Sequence, residues 1–172
     1  MSILKVCRLG HPVLRKESQR VSPETLASPA IQTFIDNMME TMVEYYGVGL
    51  AAPQVHESLA IAVIESHGDR GDIPMTVIVN PEVTVLDEEL IEDWEGCLSV
   101  PDFRGRVPRW RKLRVNALDR RGKKMQITAE GFFARVIQHE FDHLNGTVYL
   151  DRMRDLTTLT FLQEFSRYWL RS

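Results

Sequence analysis

The chain has 172 residues, of which 44% are hydrophobic and 26% are charged, and its formal net charge is −3. A chain of this length can bury one sizeable core, so we expect a single globular domain over residues 1–172. The small negative charge and the lack of a long basic run argue against nucleic acid or an anionic membrane as a partner. No apolar stretch approaches the roughly 18 residues that a membrane span requires.

The first residues match neither a signal peptide nor a transit peptide, which predicts a cytoplasmic location. The two cysteines, Cys7 and Cys97, make a disulfide framework improbable. Cys7 lies in an apolar stretch and is most simply explained as a small buried residue. Alternate basic residues between Arg104 and Arg114 favour a solvated strand face over a site for a substrate carboxylate.

In chain order, the first twenty residues are expected to be irregular or briefly extended, because Pro12 disfavours helix at the residue before it. From Ser28 onward, apolar residues recur at three- and four-residue spacing, which predicts a helix that Gly47 ends. The methionines on that face are interpreted as core packing.

Short runs rich in β-branched residues follow, and they predict strands. Asn80-Pro81 and Arg121-Gly122 are expected to be turns. Connections this short favour an antiparallel sheet over parallel strands linked by helices. The predicted strands cover residues 59–65, 76–80, 83–86, 113–118 and 124–128.

Helical spacing returns after the strands. One helix is predicted between Gly131 and Gly146, with His139 and His143 on or near one face. A last helix is predicted from about residue 155 to residue 170, where apolar side chains again recur at helical intervals.

The segment His139-Glu140-Phe141-Asp142-His143 has the pattern of a metal-dependent hydrolase. Two histidines four residues apart project from one face of a helix and can share a cation. Glu140 is displaced by about 100° from His139, so it can meet a water on that cation without being a ligand. The same spacing also arises by chance on ordinary helices, so the assignment of a metal site requires a third ligand elsewhere in the chain.

Catalytic metal sites of this type generally use three protein ligands and keep one position for water. No histidine follows His143, and Glu164 is the only glutamate beyond it. Cys97 is the better candidate, because a thiolate is a strong soft donor. If Cys97 stood alone, a small buried strand residue would be the simpler interpretation.

Three separated blocks together resemble the peptide deformylases: Gly47-Val48-Gly49-Leu50-Ala51-Ala52-Pro53-Gln54, Glu95-Gly96-Cys97-Leu98-Ser99 and Gln138-His139-Glu140-Phe141-Asp142-His143. The resemblance implies an α+β fold in which antiparallel β-sheets surround a central metal-bearing helix, with one helix near each end of the chain. It also implies a hydrolase that removes the formyl group from N-formylmethionine of nascent polypeptides at the ribosome and releases formate. A monomer or weak dimer is expected.

The resemblance also assigns residues. It implies that Cys97, His139 and His143 hold one divalent metal ion, natively Fe(II), with zinc, nickel or cobalt as substitutes. Glu140 would be the general base and then the general acid, while the Gln54 amide and the Leu98 backbone N–H would stabilise the oxyanion. The substrate-binding residues would be Val48, Gly49, Gly96, Arg104, Phe132 and Val136.

Four other residues are expected to support or border the site. The resemblance implies that Glu95 and Arg109 form an ion pair. Arg135 departs from the aliphatic residue common in the family, and we expect its stem to line the methionine pocket while its guanidinium reaches water. Trp94 is expected to be a core aromatic, with the pocket rim as the alternative.

Two other functions stay open. A metallopeptidase would use the same histidine pair and Glu140 on an internal peptide bond. A non-catalytic protein would use the metal for structure or would bind peptides. Glu140 argues against the second, since a structural metal site gains nothing from a neighbouring base.

Overall fold

The computed structural model describes residues 2–68 and 70–170, which form an antiparallel sheet packed against one long buried helix. No helix in this described part has both the length and the apolar character needed to cross a membrane. Single turns of 3-10 helix lie at Pro12–Arg15, Ala52–Val55, Tyr149–Arg152 and Leu156–Thr158. The helices are α1 (Pro23–Leu26), α2 (Pro29–Glu44), α3 (Phe132–Leu144) and α4 (Leu162–Tyr168), and the strands are β1 (Gly49–Ala51), β2 (Ile61–Ser66), β3 (Ile73–Cys97), β4 (Val100–Leu118), β5 (Lys124–Glu130) and β6 (Thr160–Phe161).

Helix α2 confirms the first predicted helix. Ser28 caps it by accepting a hydrogen bond from the Ile31 backbone N–H, and a proline occupies the first turn, where an N–H would have no partner. Met38 and Met42 are fully buried and pack in one cluster with side chains of β1 and β2. The methionine-rich face is therefore core, as predicted.

The sheet order is β1-β2-β3-β4-β5, with β6 paired to β4, and every pairing is antiparallel. The predicted strands at 59–65 and 124–128 correspond to β2 and β5. β3 and β4 are much longer than predicted. Charged residues and prolines interrupt the apolar alternation in these segments, so the sequence pattern stops short of the true strand ends. The long pairing between the two strands nevertheless keeps both extended. The hairpin that they form ends at the Cys97–Val100 pair.

The turn predicted at Asn80-Pro81 is wrong. β3 continues through these residues with a shift of register between Val79 and Glu82, as at a β-bulge. Asn80 has a positive φ of 52°, and its side chain accepts from the Val21 N–H and donates to the Val21 carbonyl, both at 2.8 Å. The bulge therefore holds the N-terminal segment against the sheet. The turn at Arg121-Gly122 is confirmed by a hydrogen bond from the Gly122 N–H to the Asp119 carbonyl.

Helix α3 confirms the predicted metal-bearing helix and is buried on most of its surface. It packs on β1, β2, β4 and β5, and nine of its residues are buried. Ala134 and Ile137 pack among side chains of the sheet. The polar residues of a helix placed this deeply need partners inside the protein.

The predicted C-terminal helix is wrong in its extent. Residues 156–161 form a 3-10 turn and β6, and only Leu162–Tyr168 is α-helical. Phe161 pairs with Phe103 of β4, and their ring centroids are 4.4 Å apart. Pairing with a strand edge thus overrides the helical periodicity of this segment. Glu164 forms an ion pair with Arg167 and does not belong to the cluster of metal-ligating side chains.

We predict that Asn80→Ala lowers the free energy of unfolding by about 2–4 kcal/mol, because two buried backbone groups lose their partners and alanine disfavours the positive φ. Urea unfolding of the variant and the wild type measures the difference. Asn116→Ala, at an exposed position of β4, is the control and should change stability by less than about 0.5 kcal/mol. Equal stability of the two variants would contradict the role given to the bulge.

Candidate active site

Three metal-ligating side chains meet where the tip of the β3–β4 hairpin reaches α3. The ligand atoms of Cys97, His139 and His143 all lie within 4.8 Å of one another, and Cys97 Sγ is 3.2 Å from His143 Nε2. The two imidazole rings are 5.0 Å apart at an interplanar angle of 73°. Cys97 and His143 are buried, and the side chain of His139 is 11% exposed. The fold therefore gathers the predicted ligand set.

This set suits a divalent transition metal. A thiolate with two imidazoles leaves a fourth position open, as catalytic zinc-type sites do. His139 Nδ1 lies 3.0 Å from Glu95 Oε2, so its Nε2 is the nitrogen left for a cation. Burial opposes ionisation of Cys97, but the imidazoles of His143 and His139 hold the pKa of the thiol well below its usual range. The ligand form of the cysteine is thereby favoured.

Glu140 is buried beside the ligand cluster. Among the described residues its Oε2 finds no hydrogen-bond partner, and burial raises the pKa of the carboxyl to about 7. A Cβ atom added to Gly49 would lie 2.2 Å from Glu140 Oε1, so this glycine makes room for the carboxylate. A buried, unpaired carboxylate is costly to the fold, and such groups are typical of sites of proton transfer.

Gln54 is held against the cluster by the turn at Ala52–Val55. Its Oε1 accepts a hydrogen bond from the Ala51 N–H at 2.8 Å, which leaves Nε2 pointing towards Cys97 Sγ at 3.5 Å and Ser99 Oγ at 3.3 Å. The residue is 1% exposed. Leu98 directly follows Cys97 in the hairpin tip and lines the cleft described below.

A buried charge network joins the hairpin to α3. Arg109 donates from Nε and Nη2 to the two oxygens of Glu95 at 2.9 and 3.0 Å, which confirms the predicted ion pair. Its Nη1 donates to Asp142 Oδ2 at 2.5 Å, and Arg152 donates to the other oxygen at 2.7 Å. Burial opposes ionisation of Glu95, but hydrogen bonds from His139 and Arg109 hold its pKa well below the usual range. The carboxylate is therefore ionised and orients His139.

The expectation that the Arg135 guanidinium reaches water is wrong. Arg135 is 5% exposed, and its Nη1 donates to Glu95 Oε1 at 2.7 Å and to the Val107 carbonyl at 2.8 Å. Its Nη2 donates to the Ile91 carbonyl at 2.5 Å. The buried carboxylate and the strand carbonyls supply the partners that solvent would otherwise provide. Arg135 still borders the cleft described next.

A cleft of about 1290 Å³ leads to the cluster. Trp94 stands at its border and is half-buried. The Phe165 ring meets it edge-on at 4.9 Å between centroids and the Trp169 ring lies tilted against it at 5.4 Å, which favours the rim alternative over the core. The cleft is also lined by all of the residues predicted to bind substrate, which are Val48, Gly49, Gly96, Arg104, Phe132 and Val136.

Arg104 lies over Gly96, where a Cβ atom would come 2.1 Å from its Nη1. The basic cluster is thus not the uniformly solvated face that alternation favours. Arg109 is buried, Arg104 enters the cleft, and Arg111 remains on the surface in ion pairs with Asp87 and Glu89. Alternation along β4 cannot reveal this, because the side chains that cover each position belong to distant segments.

Sequence reasoning also missed two residues of the site. Ser99 bonds to Gln54 and donates its N–H to Cys97 Sγ at 3.4 Å, and its place in the same sequence block was the available signal. Leu162 lines the cleft from α4, and no sequence pattern links it to the other blocks.

A cysteine, two histidines and an unpaired carboxylate at the floor of an open cleft define the chain as a metal-dependent hydrolase. The family model for polypeptide deformylase matches residues 3–158. Peptide deformylase 1 of Nitrosomonas europaea is 41% identical over 90% of this chain and 89% of its own length. Peptide deformylase 1 of Bordetella pertussis is 40% identical over 92% of each. The chain belongs to the polypeptide deformylase family, as its sequence motifs predict.

Solved structures agree with this assignment. A class I type b peptide deformylase from Acinetobacter baumannii, bound to Met-Ala-Ser, superposes with a TM-score of 0.85 and is 36% identical. The match covers 88% of this chain and 99% of that one. The peptide deformylase of Thermotoga maritima gives a TM-score of 0.82 at 37% identity, over 90% and 100% of the two chains. The predicted α+β fold is confirmed.

We predict that Glu95→Gln lowers the free energy of unfolding by about 3 kcal/mol, because Arg109 and Arg135 lose a buried counter-charge. The variant should also bind metal about 10-fold to 100-fold more weakly, because His139 loses its orienting acceptor. Urea unfolding and competition with a chelator measure the two effects. Glu82→Gln, which removes an exposed partner of Arg20, should change neither. Wild-type metal affinity in Glu95→Gln would contradict the orienting role.

Proposed function

We infer that the chain hydrolyses the N-formyl group of N-formylmethionyl polypeptides and releases formate, the activity that its family membership supports. The single observation that carries the mechanism is the unpaired carboxylate of Glu140 beside the ligand atoms of Cys97, His139 and His143. A site of this composition can hold both a cation and a base within reach of one carbonyl group.

The three clustered side chains hold one divalent metal ion in this proposal. When bound, such an ion polarises the formyl carbonyl and makes a water molecule more acidic. Cys97 and His143 are buried, and His139 is oriented by Glu95, so the ligands are arranged before the cation arrives. This support comes from the geometry of the donor atoms and from the anionic form that the cysteine favours.

Glu140 moves the proton. Its free Oε2 takes a proton from water as the water oxygen attacks the formyl carbon, and the carbonyl becomes an oxyanion. The same oxygen then gives the proton to the departing nitrogen, the C–N bond breaks, and formate and a free amine result. A pKa raised to about 7 suits a group that must accept a proton and then return it.

Gln54 and Leu98 stabilise the oxyanion. Gln54 Nε2 is held near Cys97 by the hydrogen bond between Oε1 and the Ala51 N–H, so little reorganisation is needed as charge develops. The Leu98 backbone N–H is the second donor, supported by its position next to Cys97 in the hairpin tip. Loss of one such donor typically costs about 100-fold in rate or more.

The peptide part of the substrate lies along the cleft. In the described part of the chain β1 pairs with β2 alone, so an extended peptide can add to the other edge of β1 near Val48 and Gly49. Phe132 and Val136 line the cavity for the methionine side chain, Gly96 allows close approach of the backbone, and Arg104 meets the far end of the peptide. The Met-Ala-Ser bound to the Acinetobacter baumannii relative is consistent with a cleft for a short peptide.

The native ion in this proposal is Fe(II), with zinc, nickel or cobalt as substitutes. A thiolate and two imidazoles accept all of these ions, and ligand softness alone does not choose among them. A thiolate-ligated ferrous site is sensitive to oxidation, so activity should fall in air and metal analysis of protein purified without oxygen should find iron. The enzyme would act in the cytoplasm at the ribosome as a monomer or weak dimer, which ribosome pelleting and sedimentation velocity can test.

We predict that Glu140→Gln lowers kcat/KM for a formyl-Met peptide by about 100-fold to 10,000-fold, because the general base is lost while the shape of the side chain is kept. Metal content should stay at the wild-type level, since the carboxylate is not a ligand in this proposal. Glu164→Gln, on the partly exposed surface of α4, is the matched control and should leave both quantities unchanged. Undiminished turnover by Glu140→Gln would overturn the mechanism.

An assay of paired peptides tests the reaction against the metallopeptidase alternative. We expect formyl-Met-Ala-Ser to yield formate and intact Met-Ala-Ser, detected by formate release and mass spectrometry. The unformylated peptide should remain intact. Cleavage of an internal bond with no formate released would replace the deformylase by a peptidase, and absence of both reactions in the metal-loaded protein would favour a non-catalytic role.

A further inference from the structure

A second cysteine and two further histidines lie together outside the proposed catalytic centre. The ligand atoms of Cys7, His11 and His56 are all within 4.8 Å of one another. Cys7 belongs to the N-terminal segment, His11 precedes the 3-10 turn at Pro12–Arg15, and His56 follows the turn that carries Gln54. All three side chains border the same cleft as the catalytic cluster.

This second group repeats the arrangement of the first. The rings of His11 and His56 are 4.8 Å apart at 80°, against 5.0 Å and 73° for the histidines of α3. In both groups a buried cysteine faces the pair. The two groups differ in burial: His11 and His56 are exposed, while His139 and His143 are enclosed.

We propose that Cys7, His11 and His56 form a second binding site, for a divalent transition metal ion of the zinc and cobalt type. One thiolate and two imidazoles are donors that such ions prefer over oxygen ligands, and the exposed histidines leave the remaining position to water. Neither the deformylase reaction nor the roles given to the catalytic residues require this site, so it stands or falls independently of the proposed function.

The site should bind more weakly than the catalytic centre. His11 Nδ1 accepts a hydrogen bond from the Val13 N–H at 3.2 Å, and ligation through either ring nitrogen gives up this bond. Exposed histidine side chains must also be immobilised when the ion binds. His139 and His143 carry neither cost, because Glu95 already orients the His139 ring and burial already restricts the His143 ring.

A bound ion would join three segments around the turn that carries Gln54. The Cys7 N–H already donates to the Gln54 carbonyl at 2.8 Å, and Cys7 Sγ lies 3.4 Å from the Pro53 carbonyl. The His56 N–H donates to the same Pro53 carbonyl at 3.2 Å. Binding would therefore tie the N-terminal segment to this turn and raise the midpoint of thermal unfolding.

The test is equilibrium dialysis of the full chain against Co²⁺ without oxygen, with bound cobalt measured by mass spectrometry. The double variant His11→Asn/His56→Asn removes two ligands with little strain, because asparagine caps turns well and tolerates the positive φ of 72° at His56. His67→Asn, at an exposed histidine elsewhere, is the matched control. Cys97→Ser removes a ligand of the catalytic centre.

We expect about two cobalt ions per chain in the wild type and in His67→Asn, and about one in the double variant and in Cys97→Ser. Addition of Co²⁺ beyond the first equivalent should raise the unfolding midpoint of the wild type and leave that of the double variant unchanged. As much cobalt in the double variant as in the wild type would overturn the proposal. So would a single ion in the wild type that Cys97→Ser removes. A full wild-type load in Cys97→Ser would instead count against the catalytic ligand assignment.

Discussion

The rest of the site depends on the hydrogen bonds and ion pairs of the Glu95 carboxylate. It accepts two hydrogen bonds from Arg109 and one from Arg135, and it orients the His139 ring through Nδ1. Glu95 stands near the tip of a long hairpin and its partners stand on β4 and α3, so one buried anion sets the position of the cysteine-bearing tip relative to the histidines. Buried ion pairs of this kind add little net stability compared with apolar packing, but breaking one is costly. Their contribution here is geometry.

The neighbourhood of Glu140 has the opposite character. Its Oε2 has no hydrogen-bond partner among the described residues, and Gly49 leaves space for the carboxylate. An unpaired buried carboxylate disfavours folding, and a stable framework around it must offset that cost. The charge network of Glu95 and the apolar packing of α3 on the sheet supply this framework. The protein thus pairs the carboxylate that orients His139 and leaves unpaired the oxygen of Glu140 that is proposed to exchange a proton.

Separate parts of the chain together form the wall of the cleft. Gln54 comes from a turn after β1, Leu98 from the hairpin tip and Leu162 from α4, while the second cysteine and histidine group lies along the same border. The turn that carries Gln54 is bonded both to the N-terminal segment, through Cys7, and to the hairpin tip, through Ser99. A change in either neighbour can therefore reach Gln54, the proposed oxyanion donor, through direct hydrogen bonds.

The sequence by itself determined the two longest helices and the types of donor atom in the site. Periodicity of apolar residues predicted α2 and α3, and the four-residue spacing placed His139 and His143 on one face, because these patterns depend only on helix geometry. The ligand chemistry of a thiolate made Cys97 the candidate third ligand. Only the tertiary structure places it next to His143, 46 residues away, because that contact depends on the register of a hairpin. Dependence on distant partners also explains why the sequence did not predict the burial of the Arg135 guanidinium or the conformation of the segment before α4. Their conformations follow from partners elsewhere in the chain, a buried carboxylate and a strand edge, which outweigh solvation and local periodicity.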